Sequence, residues 1–135
     1  MPLTAQDALI YLMVVAATSD AKVSDRELDA IGALVVRLPV FDTFNRDSLG
    51  EVAAEAIDLI KDSSSLDNVL DMILKALPER LHDTAYALAV EVATVDLRLE
   101  QEELRLLEMI RDKLELDSLV SGAIEASARA RLRRA

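Results

Sequence analysis

The fold is indicated most clearly by the stretch ATSDAKVSDREL at residues 17–28, which returns 76 residues later as ATVDLRLEQEEL at residues 93–104. In each copy an apolar segment is followed by Asp, by a basic residue two positions on, by an aliphatic residue, and after three more residues by Glu-Leu. Because the acids recur in step with the apolar positions, the match predicts an internal repeat. Two such units can bury each other's apolar faces as helical hairpins related by a pseudo-twofold axis.

The residues on either side extend the repeat. Residues 9–17, and their counterparts from Ala85 onward, are almost entirely apolar, which is typical of a helix in the middle of a bundle. We therefore expect the first and fifth helices to be central and in contact. The helix after each loop is amphipathic. Its apolar face pairs Leu28, Ile31, Leu34 and Leu38 with Leu104, Leu107, Ile110 and Leu114.

The rest of the chain also favours helices, since only three Gly and three Pro interrupt it. Ser24 and Glu27 form the pattern of a capping box, and Pro39 and Pro78 end helices. Met13, Met72 and Met109 are predicted to lie in the core. Seven helices are predicted, at about 4–19, 24–38, 47–62, 66–77, 79–95, 101–114 and from 117 towards the end. With no linker or low-complexity segment, residues 1–135 are predicted to form one compact, all-α domain.

Composition limits the function. The absence of Cys excludes disulfides and thiolate metal sites. A net charge of −10 disfavours nucleic acid and anionic lipid and favours cations or basic partners. The N-terminus lacks a signal-peptide pattern, and the apolar run at residues 8–17 is shorter than a membrane span, so we expect a cytoplasmic protein without membrane insertion. No set of nucleophile, base and acid that would indicate an enzyme is apparent.

The two stretches resemble the TerB family of tellurite-resistance proteins and its relatives, which include the N-terminal region of DjlA-type membrane co-chaperones. The resemblance covers residues 8–116. It implies a compact seven-helix bundle, an association with stress or metal resistance, and an acidic surface that binds divalent cations. Family members usually have Gly after the Asp, whereas this chain has Ala21 and Leu97.

Four carboxylates are the candidate metal ligands: Asp20, Glu27, Asp96 and Glu103. If the two loops approach each other, these oxygen atoms suit a hard cation of the Ca²⁺ or Mg²⁺ type. The spacing is not that of an EF-hand. Each residue also has a structural interpretation, since Asp is common in turns and an acid in the first turn of a helix complements its dipole. Lys22 and Arg98 can neutralise the cluster without metal.

Two functions therefore stay open. The leading hypothesis is a non-catalytic, cytoplasmic stress protein of the tellurite-resistance type, whose acidic face binds a divalent cation or a protein partner. The alternative is a metal-free interaction module of the co-chaperone-accessory type. A homodimer is compatible with either hypothesis.

Three further features carry charge. The only histidine, His82, is predicted to be exposed. Glu91 interrupts the apolar fifth helix, either as a buried group with a basic partner or, as we favour, at one wet edge of that helix. Arg129, Arg131, Arg133 and Arg134 are predicted to be solvated charge at a helix C-terminus, where cations are favourable.

Overall fold

In a computed structural model, residues 3–17, 23–62, 65–95 and 101–135 are described, except for the side chains of residues 101–103. These ranges form seven α-helices, connected by turns and three short 3-10 helices, and they contain no strand. The α-helices are α1 (Ala5–Ala17), α2 (Asp25–Arg37), α3 (Leu49–Asp62), α4 (Leu66–Lys75), α5 (His82–Ala93), α6 (Gln101–Leu114) and α7 (Ser118–Leu132). The all-α prediction is confirmed.

The helices begin where the sequence places caps. The Thr4 hydroxyl accepts a hydrogen bond from the Asp7 amide at 3.1 Å. The predicted capping box is complete: the Glu27 amide donates to Ser24 Oγ at 3.1 Å, and the Ser24 amide donates to Glu27 Oε1 at 3.0 Å. α2 ends at Arg37, two residues before Pro39, because a proline disfavours helical geometry in the residue before it.

Helix α1 is the centre of the bundle. Every residue from Ala8 to Ala17 is buried. Its most extensive contacts are with α5 and α3, and it also packs against α4 and α2. Helix α5 in turn contacts α7 and α6 on its other sides. The prediction that the first and fifth helices are central and in contact is confirmed.

The repeat is visible in the helix bounds and in the burial. The offset of 76 residues carries α1 onto α5 and α2 onto α6 to within one residue at each end. On the apolar faces, Ile31 and Leu34 are buried, as are their counterparts Leu107 and Ile110. Both copies also differ from the prediction in the same way. Leu28 and Leu104 are 41% and 42% exposed, because the core does not extend to the first turn of either amphipathic helix.

The prediction that three methionines lie in the core is wrong for one of them. Met13 is fully buried and Met109 packs partly buried against the core, whereas Met72 is 41% exposed. Helix α4 turns Val69, Leu70 and Ile73 inwards, and Met72 lies at the edge of this buried face, on the side of Val69.

Candidate functional site

Of the four predicted metal ligands, the structure describes the side chain of one, Glu27. Asp20, Asp96 and the side chain of Glu103 lie outside the described residues. Glu27 is described, and its carboxylate accepts the Ser24 amide hydrogen bond of the capping box. In the part of the chain that the structure describes, no group of three or more His, Asp or Glu residues is arranged to hold a metal ion. The cation site therefore stays a prediction.

Two adjoining grooves lie beside the C-terminal end of α5. The α2 groove is bounded by α2, α5 and the end of α7, and the α6 groove by α5, α6 and α7. Each has a volume of about 380 Å³. Thr94 and Leu132 line both grooves, so the side chain of Leu132, which is 37% exposed, lies where they meet. Together the grooves form one continuous surface that is largely apolar.

The composition of α7 explains why these grooves are open. This helix buries two small residues, Ser121 and Ala128, and packs one larger apolar side chain, that of Ile124, partly buried against the core. Small side chains let α7 lie on α5 without filling the space on either side of it. The floor of the α6 groove is consequently formed by aliphatic side chains of the neighbouring helices, among them Val90, Leu104 and Leu107.

A polar cluster fixes α7 at one side of the α6 groove. The buried Tyr86 hydroxyl donates to Glu125 Oε2 at 2.5 Å, and Arg111 Nη1 lies 3.4 Å from the same oxygen. Burial raises the pKa of the Tyr86 hydroxyl above its usual value, and the Glu125 carboxylate raises it further because phenolate beside carboxylate is unfavourable. These groups bind one another, and their contacts attach α7 to α5 and α6.

An ion pair fixes α7 beside the α2 groove. Arg131 Nη2 lies 2.6 Å from Glu91 Oε2. The side chain of Glu91 is 38% exposed, which confirms the prediction of a wet edge on α5. The other interpretation of Glu91, a buried carboxylate with a basic partner, is right about the partner: Arg131, one of the C-terminal arginines, binds it. Arg129 and Arg131 lie in the last turn of α7, as predicted, but the prediction that they are only solvated charge is wrong for Arg131, because Glu91 binds it.

The other charges at the grooves are mostly positive. Arg37 lines the α2 groove and Arg129 lines the α6 groove, and neither forms an ion pair with the described residues. Glu108, in the α6 groove, is the one lining carboxylate for which the described part of the chain offers no ion pair. The exposed Arg133 and Arg134 directly follow Leu132. Among the described residues, the rim of the two grooves thus carries an excess of positive charge.

The prediction that His82 is exposed is wrong. Its side chain is half-buried, with Nδ1 3.2 Å from the carbonyl oxygen of Leu114 at the end of α6. Since a carbonyl can only accept, Nδ1 carries the hydrogen. The bond satisfies a terminal carbonyl next to Glu115, whose φ of 53° is left-handed. Gln6, at the equivalent position of α1, likewise donates to the Val40 carbonyl at 3.1 Å.

Sequence reasoning missed the tyrosine contacts, although a signal was present. The two tyrosines of the chain lie in its two most apolar helices, and a buried tyrosine hydroxyl usually finds a hydrogen-bond partner. Tyr11 donates to Glu55 Oε2 at 3.1 Å, much as Tyr86 donates to Glu125. The need for two acceptors was therefore predictable, but the identity of the two glutamates was not.

Comparison with known proteins adds no relatives: no protein-family model, no curated protein and no solved structure matches the chain. The resemblance to the TerB family accordingly stays a prediction from the two repeated stretches. Among the described helices, none combines the length and the apolar character that crossing a bilayer requires. The fold places the chain in the class of all-α helical bundles.

Proposed function

We propose that this protein is a non-catalytic interaction protein that binds a protein partner through the α2 groove and the α6 groove. The observation that carries the proposal is the continuous apolar surface on both sides of Leu132, extended by the exposed side chain of Leu104. An apolar groove with charged edges is the kind of surface on which an amphipathic helix of a partner protein docks. The proposal is the metal-free alternative of the sequence analysis, with a specific surface attached to it.

The shape of the surface favours a polypeptide over a compact small molecule. Two grooves that meet at the Leu132 side chain offer neighbouring places for apolar side chains, as a helix presents them at positions i, i+3, i+4 and i+7. Glu91 and Glu125 at the edges are already held in ion pairs with Arg131 and Arg111, so the apolar side chains of the grooves are the principal source of binding energy. A role in tellurite resistance or stress belongs to this proposal through the TerB resemblance alone, and a cytoplasmic location through the pattern of the N-terminal residues.

The proposal is tested with a charge placed in the surface. Leu132→Glu and Leu104→Glu should abolish co-purification of the partner from cells under metal stress, and should raise the Kd for that partner once it has been purified. Leu119→Glu is the matched control, because Leu119 is 78% exposed and lines neither groove. Equal recovery of the same partner with all three variants would contradict the proposal.

A second candidate is the cation site, which the recurrence of Asp and Glu in both loops favours. We propose Asp20, Glu27, Asp96 and Glu103 as its ligands, with Ca²⁺ or Mg²⁺ as the cation. Titration calorimetry of the native protein and of Asp20→Asn/Asp96→Asn tests it. Cation binding and any cation-dependent gain in Tm should vanish together in the double variant. A native protein without a cation-dependent gain would exclude this site.

A further inference from the structure

The charges around the two grooves restrict what can bind there. Glu91 is paired with Arg131, and Glu125 is held by Arg111 and Tyr86, so these groups largely neutralise one another. Arg37 on one groove and Arg129 on the other have no ion pair among the described residues, and Glu108 is the one unpaired carboxylate among the described residues that line the grooves. A segment bound across both grooves would therefore have a guanidinium near it on each side of Leu132.

The rest of the molecule makes this rim distinctive. The protein carries 25 acidic and 15 basic residues, and four of those bases are at positions 129–134. A basic partner would be attracted to much of the surface. An acidic partner would be repelled by most of it and attracted by Arg37 and Arg129 at the two grooves and by the arginines at the end of the chain. Charge complementarity of this kind gives an interaction its specificity and its association rate.

From this arrangement we infer that the segment bound in the α2 and α6 grooves is an acidic amphipathic helix, with apolar side chains in the two grooves and carboxylates facing Arg37 and Arg129. The inference rests on the proposed function and adds the chemical class of the partner. Arginine suits this role, because its planar guanidinium can bind a carboxylate through two parallel hydrogen bonds. The side chains of Arg37 and Arg129 are both exposed, so their guanidinium groups are accessible to a bound segment.

Three labelled peptides test the inference. Each is a designed helix with leucines at i, i+3, i+4 and i+7, and the positions flanking the leucines are all Glu, all Gln or all Lys. Binding is measured by fluorescence anisotropy at low and at high salt. The Glu peptide should bind about tenfold more tightly than the Gln peptide at low salt, and the difference should shrink at high salt because screening weakens the ion pairs. The Lys peptide should not compete with the Glu peptide.

Single substitutions test which residues of the surface bind the peptides. Arg37→Gln and Arg129→Gln should each weaken binding of the Glu peptide and leave the Gln peptide unchanged. Arg46→Gln is the matched control, since Arg46 is an equally exposed arginine that lines neither groove. Leu132→Glu should abolish binding of the Glu and the Gln peptides alike. Circular dichroism of each variant shows whether it is folded.

The outcomes separate the inference from the proposed function. If the Glu and Gln peptides bind equally, and Leu132→Glu abolishes both, the acidic partner is refuted while the grooves stay a binding surface. If no peptide binds, the acidic helix is again refuted, and the partner experiment with Leu119→Glu as control still decides the proposed function. If light scattering shows a dimer that Leu132→Glu dissociates, the grooves bind a second copy of the chain, which also overturns the inference.

Discussion

Replacing Tyr86 by Phe tests how α7 is attached to the bundle. Tyr86 is 2% exposed and donates at 2.5 Å to Glu125, whose side chain is 31% exposed. A hydrogen bond to a charged group contributes about 1.5–3 kcal/mol to stability. Since Glu125 keeps Arg111 and some solvent after the substitution, we expect the lower end, a loss of about 1.5 kcal/mol. In a domain of this size that lowers Tm by about 5 °C.

The assay is urea unfolding followed by circular dichroism, with an unchanged m value as evidence that only stability has changed. Tyr11→Phe is the matched control. It removes a longer bond of 3.1 Å to Glu55, which is exposed, so it should cost only about 0.5 kcal/mol. In a double-mutant cycle, Tyr86→Phe and Glu125→Ala should show a coupling of about 1 kcal/mol. Equal losses for the two tyrosines, or no coupling, would refute the reasoning.

Three further predictions concern ionisation, backbone and tail. Burial raises the pKa of Tyr11 to about 12 and that of Tyr86 further, so absorbance at 295 nm should show no phenolate at pH 10 until the protein unfolds. Because the folded pKa values exceed the unfolded value of 10.0, the stabilisation is complete below pH 10 and declines as pH rises above it. Glu115→Gly should raise the free energy of unfolding by up to about 1 kcal/mol, since glycine adopts the φ of 53° without strain, and a loss in urea unfolding would contradict this. Removing residues 129–135 deletes the exposed Arg131–Glu91 pair and the partly exposed Leu132, so Tm should fall by a few degrees at most; a large fall would show that the tail is an integral part of the packing.

The features that could be predicted from the sequence depend on residues close together in the chain. The Ser24–Glu27 capping box needs only a spacing of three, and the central position of α1 follows from a helix that is apolar on every side. The contacts that were missed join distant residues. Tyr86 and Glu125 are 39 positions apart, and His82 and Leu114 are 32 apart. Among many exposed glutamates, only the packing of the helices selects the partner of Tyr86.

The grooves were missed for a related reason. They depend on how closely α7 lies on α5, which is determined by small residues such as Ser121 and Ala128 on a helix with little apolar face. Periodicity identifies large apolar side chains that need burial, and it gives no measure of the space that small ones leave unfilled. Among the four predicted metal ligands, only the side chain of Glu27 is described, and it forms the capping box that the sequence also predicts.

One pair of equivalent positions at which the two copies of the repeat differ shows why the binding surface lies beside α5. At equivalent positions, α1 has Val15, which is 2% exposed, and α5 has Glu91, whose side chain is 38% exposed and lines the α2 groove. Helix α1 packs against both α3 and α4, which follow its hairpin in the chain, whereas the helix that follows the second hairpin and packs against α5 is α7 alone. A central position that neighbouring helices cover requires an apolar residue, and incomplete cover removes that requirement. The second copy is therefore free to carry a charge where the first cannot, and that charge holds Arg131 at the edge of the proposed binding surface.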